Sequence, residues 1–189
     1  ASRVMDALTL LKSRNSAAKL CAPAPNDTEL QDIFAAASRA PDHGRLRPWR
    51  FLLIRGEALS ALGDVFAKAA MERDPAVTEA DCQRFRMQPL RAPLIVVVIA
   101  RIEDHPKIPV IEQQLSAACA AHGALLAAEA LGYAGIWRTG VNAFDPNVHK
   151  ALGLERSEEI SGFLYIGSRD GQAKPLPVLE MSDFVKEWR

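Results

Sequence analysis

Cysteine, aromatic residues and any surplus of charge are scarce in this 189-residue sequence. Its three cysteines, Cys21, Cys82 and Cys119, are odd in number and irregularly spaced, which argues against a disulfide framework and for reduced thiols. Lys and Arg total 23, as do Asp and Glu, so the chain lacks the broad positive field that nucleic acid or an anionic membrane surface would select. Neither partner is expected. The longest strongly apolar runs are residues 94–100 and the alanine-rich residues 116–131, the second interrupted by His122 and Glu129, and neither would span a bilayer. Ala1-Ser2-Arg3-Val4-Met5 has neither the apolar stretch nor the cleavage site of a secretory leader, so a cytoplasmic protein is expected.

Several chemical signatures are also missing. A dinucleotide fold needs Gly-x-Gly-x-x-Gly after a strand, and the nearest glycine cluster, Gly132-Tyr133-Ala134-Gly135, precedes one. There is no phosphate-binding Gly-x-x-x-x-Gly-Lys-Ser/Thr loop and no Gly-x-Ser-x-Gly nucleophile elbow. Cys119 and His122 lie three apart on one expected helix, which could make half of a metal site, but the second half is absent. In an alanine-rich helix a small thiol reads first as a core position. The acidic run Glu155, Glu158 and Glu159 reads as solvated surface.

What remains is ample core material. With 49% apolar residues, the chain is expected to form a single domain over residues 1–189. Apolar spacing predicts helices over residues 5–12, 27–39, 57–71, 78–90, 111–131 and 145–152. Asn26, Asp27 and Thr28 offer caps to the second helix, and Gly132 suits a left-handed end to the longest. Compact apolar runs predict strands over residues 50–55, 94–100, 133–139 and 162–167, with residues 94–100 buried on both faces. Periodicity alone fits a doubly wound parallel sheet or an α+β layer arrangement. The tail, residues 174–189, carries Val178, Leu179, Phe184 and Trp188, too apolar for a lone arm in water, and a partner subunit is one candidate for its contact.

Two short clusters carry a chemical suggestion. Arg14-Asn15-Ser16 follows the first helix, and Trp137-Arg138-Thr139 ends a strand. Each sets a guanidinium beside a hydroxyl where backbone leaves regular structure, a pairing that suits a phosphate monoester through charge-assisted hydrogen bonds. On spacing alone, both arginines read equally as surface residues.

Four segments together resemble the nitroreductase family. They are Met5-Asp6-Ala7-Leu8 running into Ser13-Arg14-Asn15-Ser16; Arg39-Ala40-Pro41-Asp42-His43 with Arg47-Pro48-Trp49-Arg50-Phe51; Arg91-Ala92-Pro93-Leu94-Ile95; and Gly135-Ile136-Trp137-Arg138-Thr139-Gly140 with Gly162-Phe163-Leu164-Tyr165-Ile166-Gly167. The resemblance implies an α+β fold, a mostly antiparallel central sheet wrapped by helices, in two chains that interlock as a homodimer with FMN at the interface. It implies that Arg14, Asn15 and Ser16 hold the phosphate and ribityl end, joined by Trp137, Arg138 and Thr139, and that Arg39 and His43 reach the flavin of the other subunit. Where many relatives have two adjacent arginines this chain has Arg14-Asn15, a gap that Lys19 could fill. Asp42-His43-Gly44-Arg45 and Arg47 also depart from the usual loop.

The activity so implied is electron transfer from NADH or NADPH through FMN to a nitroaromatic, quinone or similar small acceptor, in ping-pong order and with no side-chain nucleophile. Arg39 or Lys19 is the expected cation beside the N1 and O2 edge of reduced flavin. The alternatives are a flavin storage or delivery protein without turnover and a thiol hydrolase built on Cys119 and His122.

Overall fold

The computed structural model describes residues 5–189; residues 1–4, part of the segment read as lacking a leader, lie outside them. Asp6 caps the first helix, α1 (Ala7–Ser13), by accepting a hydrogen bond from Thr9 N at 3.0 Å. A two-residue strand, β1 (Leu20–Cys21), follows and has no counterpart in the sequence expectation. α2 (Asp27–Ala37) begins with a reciprocal capping box between Asn26 and Glu29.

The next elements alternate between layers. β2 (Trp49–Arg55), α3 (Glu57–Arg73), α4 (Glu79–Met87) and β3 (Leu94–Arg101) are followed by the long α5 (Val110–Ala130). Gly132 then takes a φ of 90°, and Tyr133 N donates back to Ala128 O at 2.9 Å, so the expected left-handed cap is present. β4 (Ala134–Arg138), α6 (Pro146–Ala151) and β5 (Glu158–Arg169) complete the order.

The strands form a sheet in the order β2-β3-β5-β4, with β1 beside the last residues of β5, and every pairing is antiparallel. This gives the α+β arrangement, not the doubly wound one. β3 is buried on both faces, as its β-branched composition predicts. Leu94, Val96, Val98 and Ala100 pack with α2 and α5, while Ile95, Val97 and Ile99 pack with α3 residues such as Phe66. Alanines 117, 120, 121, 124 and 128 are fully buried and let α5 lie close on the sheet.

β5 corrects two expectations. It starts at Glu158, four residues before the expected Gly162, and its register with β3 shifts between Val98 and Ile99, leaving Ser161 as the extra residue of a bulge. Glu158, read as solvated, is only 7% exposed. Arg50 Nε and Nη2 donate to its two carboxylate oxygens at 2.6 and 2.9 Å, a pairing across 108 positions that local sequence does not display. Among the described residues no helix is long and apolar enough to cross a membrane.

Candidate functional site

The segment after α1 runs beside β4, fixed by Ala17 N donating to Gly135 O at 3.0 Å. Asn15 sits on a small polar network: its carbonyl accepts from Arg169 Nη2 at 3.0 Å, and that guanidinium also lies 3.3 Å from Glu129. The Asn15 side chain donates to Lys174 O at 2.6 Å and so anchors the start of the tail. Ser16, Lys19, Arg169 and Lys174 line a depression of about 180 Å³, in which Asp170 is the acidic wall residue. Arg14, half-buried at the end of α1, has no side-chain partner among the described residues. The excess of donors and cations here suits an anion such as a phosphate monoester.

Trp137, Arg138 and Thr139 all line one cleft, with the Trp137 and Arg138 side chains on opposite faces of β4. Trp137 lies on the α5 side of β4, where its Nε1 donates to the carbonyl of the bulge residue Ser161 at 3.1 Å. Gly162 makes room for this indole, since a Cβ there would overlap Nε1. Arg138 lies on the other face, with its guanidinium carbon 5.8 Å from the centre of the Tyr165 ring. It opens into a cleft of about 390 Å³ walled by Phe66, Phe85, Phe163 and Tyr165, with Thr139 at its edge. Gln88, Arg91 and Asn142 are its further polar residues. Burial pushes the Tyr165 hydroxyl pKa up, while the charges of Arg138 and Arg91 act in the opposite sense. Arg138 Nε and Asn142 Oδ1 are buried without a hydrogen-bond partner among the described residues.

Ser16 and Arg138 therefore belong to different depressions. Gly135, which holds the α1–β1 segment, precedes Arg138 by three strand residues, about 10 Å at ~3.3 Å per residue. The two clusters thus meet β4 at different points along the strand.

Arg39 and His43 are both exposed, and His43 lies beside the first half of α5. His43 Nδ1 lies 3.2 Å from Glu112, and Ser116 Oγ donates to Pro41 O at 2.7 Å. Asp42 organises the loop by accepting from Leu46 N at 3.1 Å, Arg47 N at 3.0 Å and Arg47 Nη1 at 2.6 Å. Those bonds hold Arg45 and Arg47 at φ values of 54° and 51°, left-handed conformations that are uncommon outside glycine.

The Nitroreductase family model matches residues 11–168. The chain belongs to the nitroreductase family. Its curated relatives include YdjA of Escherichia coli strain K12, provisionally named an NAD(P)H nitroreductase, at 44% identity over 87% of this chain and 88% of that protein. A similarly named Haemophilus influenzae protein is 38% identical over 96% of this chain and 98% of its own length. Among solved structures, a nitroreductase-like family protein from Bacillus cereus superposes with a TM-score of 0.84 at 22% identity, covering 100% of this chain and 98% of that one. The FMN-dependent nitroreductase NfnB of Mycobacterium smegmatis, solved with NADPH, gives 0.76 at 16% identity over 97% and 98% of the two chains. The fold is thus that of the nitroreductases, and family membership makes the chain an oxidoreductase.

Sequence reasoning missed Arg169, Lys174, Gln88, Arg91 and Asn142 among the residues that line the two depressions flanking β4 in this nitroreductase. Ser168-Arg169 has the signal used for Arg138-Thr139, a hydroxyl beside a guanidinium at a strand end. Cys119, expected in the core, is exposed together with His122. Ile111, Leu115 and Cys119 recur every four residues and form an open stripe on α5. Leu8 and Leu11 of α1 and Val178, Phe184 and Trp188 of the tail are further exposed apolar side chains. No group of three His, Cys, Asp or Glu side chains able to hold a metal occurs among the described residues.

Proposed function

We propose that this nitroreductase binds FMN and passes electrons from NADH or NADPH to a small nitroaromatic or quinone acceptor, working as a homodimer. The observation that carries the reading is the aromatic-walled cleft at the end of β4, which Gln88, Arg91, Arg138 and Asn142 also line and which suits a flat, polar-edged ring. The cationic depression at Ser16, Lys19, Arg169 and Lys174 supplies a separate place for a phosphate. FMN supplies the two-electron chemistry when bound, while the chain binds it, orients it and excludes water. M. smegmatis NfnB, FMN-dependent by name and solved with NADPH, supports the same cofactor pair here.

The exposed apolar residues of α1, α5 and the tail support the homodimer, since so much apolar surface is unusual on a monomer. In such a dimer the exposed Arg39 and His43 of one chain would reach the flavin of the other. The test is spectroscopic. The purified protein, or apoprotein supplied with FMN, should show bound flavin that anaerobic NADH or NADPH bleaches and a nitroaromatic restores. Apoprotein that fails to bind FMN refutes the reading. Bound flavin that neither nucleotide bleaches favours a storage protein instead. Sedimentation should give twice the chain mass.

A further inference from the structure

Two loops meet near the start of α5. In the first, residues 41–47, the Asp42 carboxylate holds Leu46 N and Arg47 N, and Gly44 takes a φ of 71°. In the second, residues 102–109, Gln113 of α5 holds Glu103 and the Ile108 carbonyl. The buried Ile108 side chain joins them, because its Cδ1 fills the place a Cβ on Gly44 would take. A histidine fastens Ile108 there. His105, half-buried, has its Nδ1 3.1 Å from both Lys107 N and Ile108 N, so its lone pair accepts from the two amides and the ring proton sits on Nε2. Neither amide has another partner among the described residues.

A proton on Nδ1 turns that acceptor into a donor and sets it against two amide donors, so the turn holds only while Nδ1 is bare. Histidine is the side chain that most commonly changes charge between about pH 5 and 8. We propose that His105 is a pH latch on the 41–47 loop: with Nδ1 bare the turn keeps Ile108 against Gly44, and protonation of Nδ1 releases Ile108 and loosens the loop. Besides Glu103, Asp104 and Lys107 on its own segment, the charged groups of the elements packed here are Arg101 of β3, Glu112 of α5 and Asp42, His43, Arg45 and Arg47 of the loop. His43 is the other histidine among them. Its protonation strengthens the contact with Glu112 and so acts against release, which separates the two by the sign of the effect. The consequence for activity rests on the function proposed above, in which this loop carries His43 to the flavin of the other subunit: acid would draw that contact away.

Amide hydrogen exchange on the full-length protein tests the latch. It needs no flavin, so failure of the latch and failure of the flavin reading are distinguishable. Protection factors, which remove the intrinsic effect of pH on exchange, should fall roughly tenfold between about pH 8 and about pH 5.5, both at Lys107 and Ile108 and at residues 45–47. His105→Asn offers an oxygen in place of Nδ1 without a titrating ring, and His105→Leu offers no acceptor. Protection should therefore stay high at both pH values in the first and low at both in the second, while His43→Gln keeps the wild-type fall. Wild-type protection that ignores pH would overturn the proposal, as would a fall that persists in His105→Asn or His105→Leu or disappears in His43→Gln. A fall confined to Lys107 and Ile108 would overturn the coupling to the 41–47 loop.

Discussion

Replacing Glu158 by glutamine removes one charge and almost no volume, so it isolates what the Arg50 pair contributes. The carboxylate is 5% exposed and the Arg50 side chain 29%. Two hydrogen bonds of 2.6 and 2.9 Å join them, Glu155 N donates to the same carboxylate at 2.8 Å, and Arg50 Nη2 donates to Gly153 O at 3.3 Å. The pair thus pins the 153–158 turn to β2. In the glutamine variant one amide donor faces an arginine donor, and Arg50 loses its countercharge. Breaking a buried pair on one side costs about 3–5 kcal/mol, and the partial exposure of Arg50 argues for the lower end, about 3 kcal/mol. For a chain of this length about 2–4 °C of melting temperature accompanies each kcal/mol, so Tm should fall by roughly 6–12 °C. Calorimetry at one protein concentration measures this.

The same pair predicts a pH dependence. The hydrogen bonds from Arg50 hold the Glu158 carboxyl below its ordinary value of 4.5. A depressed folded pKa means the pair's contribution is fully present above the unfolded value and is lost as pH falls through the folded one. The Tm gap between wild type and Glu158→Gln should therefore be full at pH 7 and shrink below about 4.5. Arg50→Met with Glu158→Leu, which removes both charges, should recover most of the loss. A gap under about 2 °C at pH 7 would refute the reasoning, because it would place the carboxylate effectively in water.

Two further substitutions test how the site is held. Gly162→Ala pushes a methyl into the Trp137 indole, so it should cost about 3 kcal/mol or displace the ring from Ser161 O. An unchanged Tm together with an unchanged near-ultraviolet tryptophan signal would reject that packing. Gln113→Leu leaves Glu103 N, Glu103 O and Ile108 O without the bonds of 2.9, 2.9 and 3.1 Å that a 1% exposed amide now supplies, so about 3 kcal/mol should be lost. Faster amide exchange confined to residues 103–108 would accompany it, and equal exchange in the two proteins would count against the role.

The legible parts of this fold are those whose cause is local. β3 is a run of β-branched and apolar residues that no exposed segment would carry, and the end of α5 is written in Gly132 because a left-handed residue is needed there. Glu158 was illegible because its burial depends on an arginine 108 positions earlier, and next to Glu155 and Glu159 it has the look of solvent-facing charge. Cys119 was misread for a different reason. In a helix that is mostly alanine the buried and open faces differ little in hydrophobicity, so periodicity does not separate them, and only packing on the sheet shows that Ala120 and Ala121 are covered while Cys119 is not.

The clusters flanking the site show how far a motif can be trusted. Arg14 and Arg138 were joined because both precede hydroxyls at the ends of elements, a rule about local chemistry with no distance in it. The two-residue period of a strand sets Trp137 and Arg138 on opposite faces of β4, the arginine over Tyr165 and the indole against the bulge. The same local rule, applied without preference, also picks out Ser168-Arg169, the guanidinium that the fold sets against the Asn15 carbonyl. Residue type thus selected candidates for an anion site, while long-range pairing decided which of them share a depression. The Asn142–Gln88 amide pair joins residues 54 positions apart and had no local signal at all, which is why the cleft it orients emerged only from the fold.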